Sequence, residues 1–191
     1  MLRSAICFLL IVLISCEGKE KNTPIQNETA EEQDTSNFFP VTSYLKGQIY
    51  ELQRDGINPV KYTTTGNKTD SIWLALEKMP EAFAPFLETV IDSANLKNTF
   101  KQVGFLDQTI NAFTFSYDPK VVLPEDSQLQ HWDIYIDPET QKVKRIYIVK
   151  KTGKQNLLQL TWQADAFCKM VWIKNTDTPS VEKEILIKWD F

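Results

Sequence analysis

His131 is the only histidine among the 191 residues, so any imidazole-dependent chemistry rests on this one side chain. It stands in Leu129-Gln130-His131-Trp132-Asp133, and as a general base it would need Asp133 to orient it. Residues two apart on a strand share a face, which does not by itself build a triad. The expectation is therefore a histidine with structural contacts at the start of a strand. The acidic candidates are Asp118, Glu125, Asp126 and Asp133. They could serve carboxylate hydrolysis or a weak calcium site, yet no loop has the ligand spacing and central glycine of a calcium-binding hand. Glu125 and Asp126 are expected on a solvated loop. Gly-rich phosphate loops, cysteine pairs with zinc spacing and a nucleophile elbow are absent from the sequence. No catalytic residue, metal ligand or cofactor is assigned, and the chain is expected not to be an enzyme.

The chemistry that the sequence does specify lies near its start. A positive region ending at Arg3 is followed by an apolar run from Ala5 to Ile14 and then by Leu13-Ile14-Ser15-Cys16. That order is the order of a secretory signal, and the run is shorter than the roughly 20 apolar residues that a spanning helix needs. The tetrapeptide resembles the bacterial lipobox, in which the cysteine thiol receives diacylglycerol before a peptidase cuts at its amino side. Residues 1–15 are thus expected to be removed and Cys16 to become the lipid-bearing first residue. Each buried CH₂ of such chains contributes about 0.8 kcal/mol, so acylation holds a domain on a membrane without any protein segment crossing it. Glu17 to Asn37 is rich in Glu, Gln, Asn, Thr and Asp and nearly devoid of large apolar residues, which predicts a flexible tether over residues 16–37. Its acidic and lysine residues next to Cys16 resemble the export signals of Bacteroidota lipoproteins. Asp70-Ser71-Ile72 and Asp92-Ser93-Ala94 resemble the O-glycosylation acceptor motif of that phylum, which marks Ser71 and Ser93 as modification sites.

The remaining stretch, residues 38–191, is long enough for one globular domain with its own core. With a formal net charge of -4, the chain is a poor match for nucleic acid, whose binding needs clustered Lys and Arg. The basic run Lys142 to Lys151 is better read as a strand whose lysines lie on a solvated face and guard an edge. Once Cys7 leaves and Cys16 is acylated, Cys168 is the sole thiol, expected to be a small buried hydrophobe on the same strand face as Met170 and Trp172.

Hydrophobic spacing supplies the elements that must position these groups. Val41, Tyr44, Leu45, Ile49 and Leu52 predict a helix to about Arg54, stopped by Gly56. Residues 60–65 and 69–74 flank Gly66-Asn67 as a hairpin. Phe83, Phe86, Leu87, Val90 and Ile91 predict a second helix over 80–94, kinked or shortened at Pro85. Seven strands follow, at 101–106, 110–117, 132–136, 143–150, 157–163, 167–174 and 185–191, with Asp137-Pro138 opening a turn and 119–130 the longest insertion. In the last strand Ile185, Ile187, Trp189 and Phe191 share one face. The fold class is α+β: N-terminal helices packed on a twisted antiparallel β-sheet formed as a C-terminal meander. Trp73, Trp132, Trp162, Trp172, Trp189 and the alternating Phe113, Phe115 and Tyr117 are expected mainly in the core, although aromatics on a concave sheet could also bind a lipid, peptide or glycan.

Phe38-Phe39-Pro40-Val41-Thr42-Ser43-Tyr44-Leu45-Lys46-Gly47-Gln48, the stretch His131 to Pro138, Leu160-Thr161-Trp162-Gln163 and the closing Trp189-Asp190-Phe191, together with the lipobox, resemble a family of Bacteroidota lipoproteins of unknown function. The resemblance spans most of the mature domain and implies an envelope lipoprotein with a shared fold; the expected location is the outer membrane, lipid-anchored, on the periplasmic or the cell-surface face. It carries no activity or catalytic residue across. The functional expectation is a membrane-anchored binding or accessory module for an envelope protein, lipid or glycan. The alternatives are a hydrolase using Asp118, Glu125, Asp126 or Asp133, and a carrier or sensor whose half-open sheet encloses acyl chains.

Overall fold

Val41, Leu45, Ile49 and Leu52 recur at helical spacing and are buried along one stripe of α1 (Val41–Arg54). The helix stops where expected. Gly56 takes a left-handed φ of +67°, its amide donates to the Gln53 carbonyl at 3.2 Å, and the Ile57 amide donates to the Leu52 carbonyl at 3.1 Å. This closing pattern needs a positive φ, which glycine adopts without a Cβ penalty. The computed structural model describes Phe38–Asp190; the expected signal over 1–15, the expected lipidation site Cys16, the expected tether over 16–37 and Phe191 lie outside the described residues.

A hairpin of β1 (Val60–Thr65) and β2 (Lys68–Trp73) turns at Gly66, whose φ is +57°. A single 3₁₀ turn (Leu76–Lys78) then leads into α2 (Met79–Leu87), and α3 (Ser93–Leu96) follows separately. The helix expected over 80–94 is thus broken. Val90 is exposed, and Ile91 is buried from outside any helix. A local competitor accounts for the restart: the helix runs through Pro85 to Leu87, and the Asp92 carboxylate then accepts from the Ala94 and Asn95 amides at 3.0 and 3.3 Å, starting a new helix rather than continuing the old one. Thr42 ties this connection to α1, accepting from the Ile91 amide at 2.9 Å.

From here the chain is sheet: β3 (Phe100–Asp107), β4 (Ala112–Pro119), β5 (Leu129–Ile136), β6 (Val143–Lys151), β7 (Asn156–Gln163), β8 (Phe167–Lys174) and β9 (Ser180–Lys188). All neighbours are antiparallel, and the nine strands run β2-β1-β9-β8-β7-β6-β5-β4-β3. The first hairpin therefore joins the far side of the meander, with Val60 opposite Lys188. Sheet dominates this molecule, and the helices are few and confined to its first half, so the α+β division holds only loosely. The last strand begins earlier than its alternation suggested and ends at Lys188. Trp189 and Asp190 lie beyond it, with both amides donating to the Ala166 carbonyl at 2.9 and 3.3 Å.

Period-two alternation sorts the side chains. Trp132, Ile134, Ile146, Ile148, Leu160, Trp162, Cys168, Met170, Ile185 and Ile187 face inward and join the buried residues of α1 and α2 in one core. Tyr117 stacks on Trp132 with ring centroids 4.5 Å apart, and Phe38 and Phe100 approach the same indole edge-on or tilted. Trp162 is packed by Phe83, Phe86 and Trp189. Lys150 departs from the expected solvated row. It shares the inner face with Ile146 and Ile148 and is only 2% exposed. Its Nζ donates to the Pro85 carbonyl at 2.6 Å, near the C-terminal end of α2, where a cation offsets the partial negative charge of the last turn. Burial pushes the Lys150 ammonium below its ordinary value, against the pull of Glu88.

Candidate functional site

The sequence candidates gather on the outer face of β4 and β5. His131 Nδ1 lies 2.9 Å from Asp118 Oδ1, and its Nε2 lies 3.0 Å from Asp133 Oδ1. Asp133 also accepts from the Ser116 and Tyr135 hydroxyls. The hydrogen bond to Asp133 raises the His131 pKa above 6.5, opposed by burial and supported by Asp118. Burial pushes Asp133 up, but the hydrogen bonds from His131 and Ser116 outweigh it and hold the carboxyl below 3.8. With a carboxylate at each ring nitrogen, the protonated ring can donate at both ends, an arrangement that favours the charged form. Ser116 donates to Asp133 rather than to His131, so these two side chains are not arranged as a nucleophile and its base.

The other sequence candidates stand apart from this network. Glu125 and Asp126 line a separate open cleft with Lys151 and Lys154. Among the described residues no group of three or more His, Cys, Asp or Glu is arranged to hold a metal ion. Cys168 is fully buried, which pushes its thiol well above the ordinary value and leaves it a packing residue. Ser71 is exposed on β2, whereas Ser93 is half-buried and its Oγ donates to the Phe38 carbonyl at 3.3 Å.

A concave apolar feature lies on the opposite face, beside α2. Phe83 and Phe86 of α2 are spent on Trp162, and the neighbouring Ala82 and Pro85 are too small to reach the sheet's last strands. Between them and β2, β1, β9 and β8 a groove of about 490 Å³ remains, walled by Ile72, Leu74, Met170, Trp172 and Ile185. Trp73 stands at its edge, 69% exposed. Among the described residues Lys61, Lys78 and Lys183 border the groove, against Glu81 as the one carboxylate. Lys183 Nζ lies 5.2 Å from the Trp172 ring centroid, and Lys78 reaches Glu81 only at 4.0 Å with both groups exposed, a pairing worth little.

Sequence reasoning did not find this groove. Met170 and Trp172 fell on the inner face with Cys168, as strand parity predicts, but the parity does not say that cover stops short of Trp172. The lysines come from β1, the turn before α2 and β9, far apart along the chain.

The fold and groove define a class: an antiparallel-sheet domain whose inner face is closed by helices at one end and open at the other. The chain matches no protein-family model, no curated protein and no solved structure.

Proposed function

We propose that this protein is an α+β envelope lipoprotein of the Bacteroidota type it resembles, anchored at the outer membrane through Cys16, which binds the apolar chain of an anionic amphiphile without chemical turnover. One observation carries the proposal: a groove walled by Met170, Trp172 and Ile185 is left unfilled by α2 and, among the described residues, bordered by three lysines against one carboxylate. An alkyl chain entering it gains about 25 cal/mol per Å² of apolar surface removed from water. The lysines select for a negative head group and snorkel their stems along its chain. Such a site suits a carrier or sensor held beside a membrane by its own lipid. The clamped state of His131 and the separation of Glu125 and Asp126 from Asp118 and Asp133 weigh against the hydrolase alternative.

Trp73 and Trp172 report on the groove, so intrinsic fluorescence is the direct assay. Titration of the full chain with dodecanoate and with dodecanol below their aggregation limits is expected to show saturable binding of both, tighter for the carboxylate. Ala82→Trp, which fills the groove from α2, should abolish it. Absence of saturable binding, or binding indifferent to Ala82→Trp, overturns the reading.

A further inference from the structure

β3 ends the sheet on the side opposite β2, and among the described residues its only strand neighbour is β4. An edge strand presents backbone groups to any second strand that fits it. The Lys120 amide donates to the Thr99 carbonyl at 2.8 Å, which turns the Thr99 backbone toward β4. Alternation along an antiparallel strand then turns the N–H and C=O groups of Gln102, Gly104 and Leu106 outward.

The side chains beside those groups are not those of a guarded edge. Val103, Phe105 and Leu106 are each nearly half exposed along the middle of β3, whereas the opposite edge strand β2 is polar from Lys68 to Ser71 and exposes Ile72 and Trp73 only at its end. β3 is also self-complementary: Lys101 and Asp107 lie equally far on either side of Gly104 and on the same face as Val103 and Phe105. The Asp107 carboxylate is oriented by the Thr109 amide and hydroxyl at 2.9 and 2.6 Å.

We propose that a second copy of this chain pairs antiparallel with β3 about a two-fold axis at Gly104, joining two sheets edge to edge. In that register Lys101 faces the partner's Asp107 and Val103 faces the partner's Phe105, an opposite-charge pair and an aromatic–β-branched pair of the kinds that stabilise adjacent strands. The outward backbone groups of Gln102, Gly104 and Leu106 meet those of the partner's Leu106, Gly104 and Gln102. A Cβ at Gly104 would lie 3.2 Å from the Phe115 ring, so glycine lets that ring cover the strand at the axis. The arrangement is isologous and closed, whereas β3 pairing with a neighbour's β2 would run on as a filament.

Sedimentation velocity of the full chain in density-matched detergent tests the pairing. The wild type is expected to be a dimer, Phe105→Lys a monomer, and Lys101→Glu a dimer weakened about tenfold by its like-charge contact with the partner's Asp107. Register is tested by oxidation. Val103 and the partner's Phe105 form a closely spaced pair within disulfide reach, so a mixture of Val103→Cys and Phe105→Cys chains should crosslink while neither variant crosslinks alone. A monomeric wild type, a Phe105→Lys variant that stays dimeric, or a dimer without the mixed disulfide overturns the proposal.

Discussion

The two ends of the inner sheet face are built from the same kinds of residue and finished differently. At the β4–β6 end, Phe38 and Phe100 close over Trp132, which is fully buried and stacked on Tyr117. At the β8–β9–β1–β2 end, Trp172 lies partly exposed on the same face, with Lys183 rather than a second aromatic ring over it. An aromatic strand residue is thus enclosed or left partly exposed according to whether other rings close over it, as Phe38 and Phe100 do over Trp132. α2 is too short to reach both ends, and its groove-side residues are Ala82 and Pro85.

The largest effect is expected where cover is complete. Trp132→Ala should cost about 3–5 kcal/mol, since it removes a fully buried indole from between three rings and leaves a cavity. Trp172→Ala should cost much less, and urea midpoints of the two variants compare the ends directly; equal losses would erase the distinction. Deleting Trp189 to Phe191 belongs with the first class, because the Trp189 ring packs on Trp162 and Phe83. An unchanged melting temperature after that deletion would contradict it.

Next in size is a pH-dependent effect behind the closed end. His131 has a raised pKa, so its stabilisation is complete below its ordinary 6.5 and is lost as pH rises through the raised value. Asp133 has a depressed pKa, so its contribution is present above 3.8 and is lost as pH falls through the lowered value. Both act together between those ordinary values. Asp133→Asn should therefore cost most near about pH 5.5, roughly 1 kcal/mol because the pair is partly solvated, and the gap from wild type should narrow by about pH 9. A constant gap across that range in urea melts would mean that the network does not titrate as described.

The smallest stability effects are expected at the open end. Ala82→Trp should change stability by less than about 1 kcal/mol, as it enters open space rather than a packed core, while removing amphiphile binding. Lys183→Gln should leave the melting temperature nearly unchanged and selectively weaken carboxylate binding relative to dodecanol. Equal weakening for both probes would assign Lys183 to packing on Trp172 alone.

Much of this contrast was legible along the chain, and the decisive part was not. The stripe Val41, Leu45, Ile49 and Leu52, the stop at Gly56, the turn at Gly66 and the bonds from the Glu139 and Thr140 amides to Asp137 all depend on residues within a few positions of one another. The contact of His131 with Asp133 was within reach of the same reasoning, because alternate residues share a face. Asp118 was not, since it arrives through the β4–β5 register. Lys150 was misplaced because a row of lysines reads as solvated until a carbonyl from α2 is brought above it.

By itself the sequence determined most of the strands and their apolar faces, the first helix and its end, and a Leu13-Ile14-Ser15-Cys16 stretch that resembles a lipobox. Each follows from spacing or from a contiguous motif, which a linear chain displays directly. Tertiary structure decided that β9 lies between β8 and β1, that α2 ends before the last strands, and that lysines from separate segments border one groove. Such contacts depend on which long-range pairings best bury apolar surface for the chain entropy they cost, and that competition is settled over the whole domain rather than within any segment.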